Sequence, residues 1–288
     1  MSLQRSMMVV LMAVAYGALV SAQSSVIDSV QAVERRLAAR VGLFVHDIHT
    51  GATLSYHADD RFPLNSTFKT LACAALLAQI DDGRGDLSDL VTFTRDDLVT
   101  YSPVTQERVG AAGMTLGELC QATLAVSDNT AANLVLQQVG GPAGLTEFLR
   151  SSGDGVTRLD RWEPELNQAT PGDLRDTTTP RATAQTMQRL VLGDLLSPAS
   201  RQQLEDWIVG HELGDALIRA AVRPTWKVGD RTGAGGHGSR SLAAVIWPSD
   251  REPLIVTIYI TETLASFEQR NAAIAEIGRA VVQAITER

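Results

Sequence analysis

The strand-forming segments of this sequence lie at its two ends, and the segments between them have helical patterns. Near the start, residues 41–47 and 53–57 flank a turn at Thr50-Gly51 and predict a β-hairpin. In the last third, β-branched apolar segments separated by turn residues predict three more strands: 225–233, 241–247 and 254–261. Strands from both ends can share one antiparallel sheet if the middle of the chain is inserted between them, which predicts an α+β fold with an inserted all-helical domain.

Helical spacing of apolar residues predicts the remaining elements. Residues 25–40 and 266–286 predict two terminal helices, which we expect to cover the sheet. The middle of the chain predicts six helices: 68–80, 116–126, 131–139, 143–149, 180–192 and 198–209. Residues 158–179 show no periodicity, so we expect an irregular loop of the kind that a compact domain keeps for function. We expect any active site in the cleft between the sheet and the helical domain.

The first 22 residues predict an export signal. Arg5 is their only charged residue, an apolar run follows, and the segment ends in small residues at Ala22. A membrane anchor is the alternative, but the uncharged stretch is barely long enough to span a bilayer. We therefore expect cleavage after Ala22 and a periplasmic mature protein without stable membrane association. Its expected parts are a sheet domain (23–61 and 211–288) and a helical domain (62–210) with an irregular loop at 158–176.

Charge and composition exclude several classes of function. The formal net charge of −8, without a basic stripe, argues against a nucleic-acid partner. Cys73 and Cys120 are the only cysteines, and an oxidising compartment permits a disulfide between them, with two free buried thiols as the alternative. The five histidines lack the spacing of a zinc site; His46 and His49 precede a turn, where histidines are usually solvated. We expect no metal and no cofactor.

The first of three short motifs pairs a serine with a lysine. Ser66 and Lys69 are three residues apart at the start of a predicted helix, so they share one face, with the serine oxygen near the helix N-terminus. If burial lowers its pKa, the lysine can act as a base for that serine. Taken alone, the pattern is weak, because a serine that merely caps the helix has the same appearance.

Two further motifs follow in a fixed order. Ser127-Asp128-Asn129 lies between two predicted helices, where the hydroxyl can pass a proton and the carboxamide can hold a substrate amide; capping of the next helix by Asp128 is the alternative. Arg231-Thr232-Gly233 lies on a predicted strand, where a cation and a hydroxyl suit a carboxylate and the glycine lets a ligand approach the backbone. Each motif is common by chance, but the three together in one exported chain are not.

With these motifs the sequence resembles the penicillin-recognising serine enzymes. The segment from Arg161 to Asn167 resembles the omega loop of class A β-lactamases, and Tyr101 and the cysteine pair also match that class. The resemblance covers essentially the whole mature chain. It implies hydrolysis of the β-lactam amide bond of penicillins through a serine acyl-enzyme, which confers antibiotic resistance.

The resemblance also implies roles for individual residues. The implied catalytic residues are Ser66 as nucleophile, Lys69 as its activator, Ser127 as the proton relay to the ring nitrogen, and Glu163, with Asn167, as the holder of the deacylating water. The implied binding residues are Asn129, Tyr101 at the entrance, Thr232, Gly233, Ala234 (whose N–H joins that of Ser66 in an oxyanion hole) and Arg240. It further implies pairing of Arg161 with Asp176, a cis Glu163–Pro164 bond and the Cys73–Cys120 disulfide. Whether Lys69 or Glu163 is the acylation base stays open.

One motif departs from the usual pattern, because Arg231 stands where most of the family has lysine. A planar guanidinium is not interchangeable with an ammonium, and this variant resembles the carbenicillin-hydrolysing subgroup. The nearest alternatives are a penicillin-binding D,D-peptidase and a β-lactam sensor that acylates and stops. Glu163 with Asn167 favours the hydrolase, because that pair serves rapid deacylation. A monomer is the default expectation.

Overall fold

The computed structural model describes residues 24–286 of the chain. The helices, in chain order, are α1 (24–37), α2 (Phe68–Asp81), α3 (Leu116–Ala125), α4 (Asn129–Gln138), α5 (Gly141–Ser151), α6 (Pro180–Val191), α7 (Pro198–Val209) and α8 (Phe267–Thr286). The strands are β1 (Arg40–Asp47), β2 (Thr53–Tyr56), β3 (Phe62–Pro63), β4 (Leu90–Val91), β5 (Met114–Thr115), β6 (Thr177–Thr178), β7 (Lys227–Ala234), β8 (Arg240–Trp247) and β9 (Leu254–Thr261).

Five strands from the two ends of the chain form one antiparallel sheet in the order β2-β1-β9-β8-β7. Helices α1 and α8 pack on one face, and the helices from the middle of the chain pack on the other. This arrangement confirms the predicted α+β fold. Within residues 24–286, no helix is long and apolar enough to cross a membrane. The predicted export signal lies outside the described residues, and the two-domain division stays a prediction.

Both faces of the sheet are buried, and successive side chains of each strand enter different cores. In β8, Leu242, Ala244 and Ile246 belong to the core under α1 and α8. Ala243 and Val245 belong to the core shared with the helices of the middle segment. This alternation is the period of two that a strand imposes, and it explains why a strand buried on both faces reads as a continuous apolar run.

The element boundaries differ from the predictions by a few residues. The first helix ends at residue 37, because Arg40 already pairs with Thr261 in the sheet. Helix α4 begins at Asn129, two residues earlier than predicted, because the Asp128 side chain accepts the N–H of Ala131 and caps it. Strands β3 to β6 have two residues each, too few for any periodicity to reveal them.

Two contacts fix the start of α2, where Ser66 lies. Strand β3 pairs with β6, which ties the chain just before Ser66 to the end of the irregular loop. A disulfide joins Cys73 of α2 to Cys120 of α3 with their Cα atoms 5.8 Å apart, so the disulfide alternative is confirmed over two free thiols. The first turn of α2 therefore has a fixed position relative to the loop and to the turn that follows α3.

Candidate active site

Ser66 lies in a short 3₁₀ helix, Asn65–Thr67, that leads directly into α2. Its side chain borders edge strand β7, and the residue is only 8% exposed. A Cβ placed on Gly233 would lie 2.6 Å from the backbone nitrogen of Ser66. Only a glycine at 233 therefore lets the strand approach the backbone of Ser66 this closely.

Lys69, one turn further along α2, is fully buried and surrounded by acceptors. Its Nζ donates to Asn129 Oδ1 at 2.5 Å, to the Ser127 carbonyl at 2.9 Å and to Ser127 Oγ at 3.1 Å, and it lies 3.2 Å from Glu163 Oε1. Burial lowers the pKa of Lys69 to about 8, against the opposing effect of the Glu163 carboxylate. The lysine is thus mostly protonated at neutral pH and reaches Ser66 through Ser127.

The Ser127 hydroxyl contacts Lys69, Arg231 and Ser66. Its oxygen accepts from Lys69 Nζ and, at 2.5 Å, from Arg231 Nη2, so its own proton is directed at Ser66 Oγ, 3.3 Å away. Two cations that donate into one hydroxyl oxygen make its proton easier to release. Ser127 has a φ of 67°, a backbone conformation uncommon for serine, in the turn between α3 and α4.

Asp128 and Asn129 hold that turn in place. Besides capping α4, the Asp128 carboxylate accepts the N–H groups of Val104 and Thr105 and so binds the preceding loop. Asn129 uses its Oδ1 for Lys69 and donates one N–H of Nδ2 to the Thr100 carbonyl at 2.8 Å. The capping interpretation of Asp128 is confirmed, and Asn129 keeps a second Nδ2 hydrogen for a ligand.

Glu163 enters the cluster from the irregular loop. Its carboxylate is fully buried, with Oε1 facing Lys69 and Oε2 accepting from Asn167 Nδ2 at 2.5 Å. The Glu163–Pro164 peptide is cis, as predicted. Asn133 on α4 donates to the Glu163 carbonyl and accepts its N–H, both at 3.0 Å. These reciprocal bonds fix the glutamate backbone against the helix.

The neck of the loop is closed by an ion pair. Arg161 Nε lies 2.5 Å from Asp176 Oδ2, and the other oxygen of that carboxylate accepts the N–H groups of Asp160 and Arg161. The predicted Arg161–Asp176 pair is therefore present. Further along, the Asn167 carbonyl accepts the N–H of Gly236 at 2.8 Å, which joins the loop to the β7–β8 connection.

The arginine motif lies on β7, opposite the serine cluster. Arg231 is fully buried; besides Ser127, it donates from Nε to the Ser66 carbonyl at 3.2 Å. Burial lowers the pKa of Arg231 to about 10, with the Asp230 carboxylate opposing the shift, so the guanidinium is charged at neutral pH. Thr232 is buried beside it, and Ala234, at the end of the strand, is half-buried.

Arg240 pairs with Ala234 across the two strands, next to the arginine motif. Its Nη1 donates to the Gly233 carbonyl at 2.9 Å and its Nε to Asn271 Oδ1 at 2.7 Å. Burial lowers the pKa of Arg240 also to about 10, an effect that nearby Arg270 and Arg231 reinforce. All the hydrogen bonds of Arg231 and Arg240 described here go to neutral acceptors, and neither guanidinium is within 4.0 Å of a carboxylate in residues 24–286.

Tyr101 lies at the outer margin of the cluster. It is 54% exposed, has a φ of 67° and accepts the backbone N–H of Asn129 on its carbonyl at 3.0 Å. Ser127, Asn167 and Ala234 are half-buried, so the cluster opens toward solvent among these residues. The structure thus brings the predicted residues to one seam between β7 and the helices.

Sequence reasoning missed two residues that shape the site. Asn133 binds the backbone of Glu163, and its spacing of four from Asn129 is a signal that both share one face of α4. Asn271 on α8 orients Arg240, and nothing in its sequence neighbourhood distinguishes it from an exposed helix residue. Chemically, the seam combines two serine hydroxyls in contact, one of which accepts from two buried cations, with a buried carboxylate and with guanidinium groups whose hydrogen bonds go to neutral acceptors.

Known proteins with similar sequences and structures share this architecture. The sequence profile of the β-lactamase enzyme family matches residues 25–285. The chain is 50% identical over 255 residues to β-lactamase AER-1 of Aeromonas hydrophila, which spans 88% of this chain and 84% of that protein. It is 47% identical over 259 residues to β-lactamase PSE-4 of Pseudomonas aeruginosa, which spans 90% of each. A solved ancestral class A β-lactamase has 54% identity and a TM-score of 0.88, and the match covers 90% of this chain and 99% of that one.

Proposed function

The chain belongs to the β-lactamase enzyme family and is a class A serine β-lactamase, which hydrolyses the amide bond of the β-lactam ring and so confers antibiotic resistance; on this premise we propose how its residues perform the reaction. Ser66 Oγ attacks the ring carbonyl, the C–N bond breaks, and the carbonyl carbon becomes an ester of Ser66. The developing oxyanion is held by the N–H groups of Ser66 and Ala234, which lie where β7 borders the nucleophile turn. The single observation that carries the proposal is the buried contact network of Ser66, Ser127, Lys69 and Glu163.

The departing ring nitrogen takes its proton from Ser127. That hydroxyl already points at Ser66 Oγ, and Lys69 and Arg231 both donate into its oxygen, which stabilises the alkoxide left when the proton is transferred. Lys69 then returns a proton to Ser127 and is itself reprotonated by Glu163, 3.2 Å away, which holds the proton taken from Ser66. The relay needs no movement of a charged group across the site, because every member is already within hydrogen-bond contact of the next.

Glu163 supplies the base for both chemical steps at neutral pH. Lys69 has a pKa of about 8 and is mostly protonated there, so the neighbouring carboxylate is the better proton acceptor. Glu163 Oε1, buried beside Lys69, accepts the proton of Ser66 through a water molecule during acylation. In deacylation Glu163, with Asn167, orients the water that attacks the ester carbonyl. The water adds its oxygen to that carbon and gives its proton to Glu163, which passes the proton on to Ser66 Oγ as the ester C–O bond breaks, so both groups return to their starting state.

Penicillins fit the charge of the β7 edge. Every penicillin has a carboxylate on its fused ring, and Arg231 and Arg240 are buried cations whose hydrogen bonds go to neutral acceptors. Asn129 presents its second Nδ2 hydrogen to the side-chain amide, Thr232 donates its hydroxyl to the ring carboxylate, and Tyr101 lines the entrance. The arginine in this motif favours carbenicillin, which has a second carboxylate on its side chain.

The cellular setting follows from the start of the sequence. We expect export through the segment that ends at Ala22, a periplasmic mature enzyme and a monomer that binds no nucleic acid. Protease-resistant mature protein in an osmotic-shock fraction, with an N-terminus at Gln23, is the expected finding. Protein held in the membrane fraction with an intact leader would contradict it.

Multiple-turnover stopped-flow absorbance with carbenicillin tests this proposal. Ring opening that continues through many equivalents of substrate is the expected result, because Glu163 removes the acyl group after each cycle. A burst of one equivalent without further turnover would contradict the roles of Glu163 and Asn167, since it is the behaviour of a penicillin-binding peptidase or a sensor.

A further inference from the structure

His211 lies in the segment that follows α7, next to the arginine motif of β7. The residue is buried, and its Nδ1 is 3.1 Å from Asp230 Oδ2. Asp230 is itself fully buried and precedes Arg231 on the strand. Its other oxygen accepts from Arg219 Nε at 2.6 Å. Buried His211 and Asp230, with half-buried Arg219, therefore form a cluster next to Arg231 that takes no part in the proposed reaction.

The hydrogen-bond partners determine the tautomer of His211. Because a carboxylate only accepts, the hydrogen lies on Nδ1 and the ring donates to Asp230. Nε2 is buried and has no hydrogen-bond partner among the described residues. A second proton would have to be placed there without an acceptor and in the field of Arg231 and Arg219. Accordingly, burial lowers the pKa of His211 below 6.5, against the opposing effect of Asp230.

The residues around Asp230 hold its carboxylate in one position. A Cβ added to Gly214 would lie 2.3 Å from Asp230 Oδ2 and 2.9 Å from Oδ1, so only glycine leaves room for it. Arg219 is in turn fixed by the Val209 carbonyl at the end of α7, to which its Nη2 donates at 3.0 Å. Because β7 is an edge strand with a neighbour on one side only, these contacts supply the second support for the segment that carries Arg231.

Asp230 is also the carboxylate that most opposes the effect of burial on Arg231. Because neutral His211 donates a hydrogen bond to Asp230, it keeps the carboxylate ordered and leaves the full negative charge of that carboxylate available to Arg219 and Arg231. We infer that His211 is a positioning residue for substrate binding: through Asp230 it holds Arg231 where the guanidinium meets the ring carboxylate of a penicillin. This inference rests on the carboxylate-binding role proposed above for Arg231.

Steady-state kinetics with benzylpenicillin test the inference in four variants. His211→Leu removes the donor, and Gly214→Ala displaces the carboxylate without changing His211; each should raise KM by about 3- to 10-fold and leave kcat within about twofold. His211→Asn, whose side-chain amide can donate from nearly the position of Nδ1, should restore KM to within about twofold of the parent. His46→Leu is the matched control, because His46 Nδ1 has an equally long bond of 3.1 Å to Gln188, far from β7, and its KM should not change.

Unfolding free energies, measured on each variant, separate positioning from general destabilisation. The inference is overturned if His211→Leu keeps the parent KM, if His46→Leu raises KM equally, or if the loss is in kcat alone. Arg231→Ala, measured in parallel, tests the role of Arg231 separately from the role of His211. If Arg231→Ala leaves KM unchanged, the proposed role of Arg231 fails; if it raises KM and His211→Leu does not, only the role of His211 fails.

Discussion

The helical side and the sheet side of the site differ in how their buried charges are paired. On the helical side, Lys69 and Glu163 are both fully buried and lie 3.2 Å apart, so each compensates the other. On the sheet side, Arg231 and Arg240 are equally buried, but their hydrogen bonds go to carbonyls, an amide oxygen and a hydroxyl. An isolated buried charge is costly, and a pair offsets much of that cost. The difference indicates that the helical side holds the groups that exchange protons, whereas the sheet side, apart from the bond of Arg231 to Ser127, is organised to receive an anion.

The largest expected effect comes from removing Ser66 Oγ, which lies between the helical side and the sheet side. Ser66→Ala deletes the nucleophile and leaves the charges of both regions in place, so turnover of benzylpenicillin should fall by about 10⁴-fold or more. Equilibrium dialysis should still detect binding of the penicillin, because the arginines are intact. Hydrolysis retained at a tenth of the parent rate would show that Ser66 is not the nucleophile.

Removing the carboxylate of the helical side should separate the two chemical steps. Glu163→Ala should still acylate Ser66 but should slow deacylation by about 10²- to 10⁴-fold, because the base for the attacking water is lost. Intact-protein mass spectrometry should show the added mass of one penicillin on most of the enzyme. Glu165→Ala is a suitable control on the same loop, since the Glu165 side chain is exposed to solvent whereas that of Glu163 is buried. A Glu163→Ala enzyme that deacylates at the parent rate would contradict the assignment.

The same variant should change the pH dependence of acylation. Glu163 raises the pKa of Lys69, against the dominant effect of burial, to its value of about 8. Without that carboxylate the pKa of Lys69 falls below 8, so neutral lysine, which can replace Glu163 as base, is present at lower pH. Acylation of Glu163→Ala should therefore rise about tenfold per pH unit in acid and level off below pH 8. A profile that still rises above pH 8 would contradict the charge coupling of the pair.

On the sheet side, changing the shape of the cation should affect substrates unequally. Arg231→Lys keeps the charge but loses the planar fork, so we expect a several-fold loss of kcat/KM for carbenicillin and a smaller loss for ampicillin, which lacks the side-chain carboxylate. Measuring kcat/KM of the variant and the parent with carbenicillin and with ampicillin tests this difference. Equal losses would remove the argument that the arginine serves carbenicillin.

The smallest effect on activity is expected from removing the disulfide that joins α2 to α3. Replacing both Cys73 and Cys120 by serine removes a disulfide that closes a loop of 47 residues and should lower the free energy of unfolding by about 3–4 kcal/mol. At 25 °C, kcat for benzylpenicillin should stay within about twofold of the parent, because both cysteine side chains lie in the hydrophobic core of the helices. Urea denaturation and steady-state kinetics measure the two quantities; a large loss of kcat in the folded variant would show that the disulfide positions the site.

Local sequence patterns predict the parts of this molecule that depend on neighbours in the chain. The spacing of Ser66 and Lys69 on one helix, and the strands at both ends of the chain, follow from residues close together in sequence. The start of α5 is less predictable: the pattern begins at residue 143, but Gly140, with a φ of 88°, turns the chain so that the helix starts at Gly141. Helix boundaries of this kind depend on single backbone angles that apolar periodicity does not report.

Contacts between distant segments could not be predicted in the same way. The sequence suggests that Lys69 reaches Ser66 directly, whereas its hydrogen bonds run to Ser127 and Asn129, some sixty residues away. The bonds of Asn133 to Glu163 and of His211 to Asp230 likewise join separate elements. Their partners depend on how the helices pack against the sheet, and a single sequence does not determine which polar residues then meet.

Rapid-quench mass spectrometry of Glu163→Ala and Arg231→Ala, over a range of benzylpenicillin concentrations, tests the division between the two sides most directly. Glu163→Ala should accumulate acyl-enzyme at low substrate concentration. Arg231→Ala should need about 10-fold or more substrate for half-maximal acylation and should deacylate at the parent rate. Accumulation of acyl-enzyme in both variants, or acylation of Arg231→Ala at the parent concentration dependence, would contradict this division.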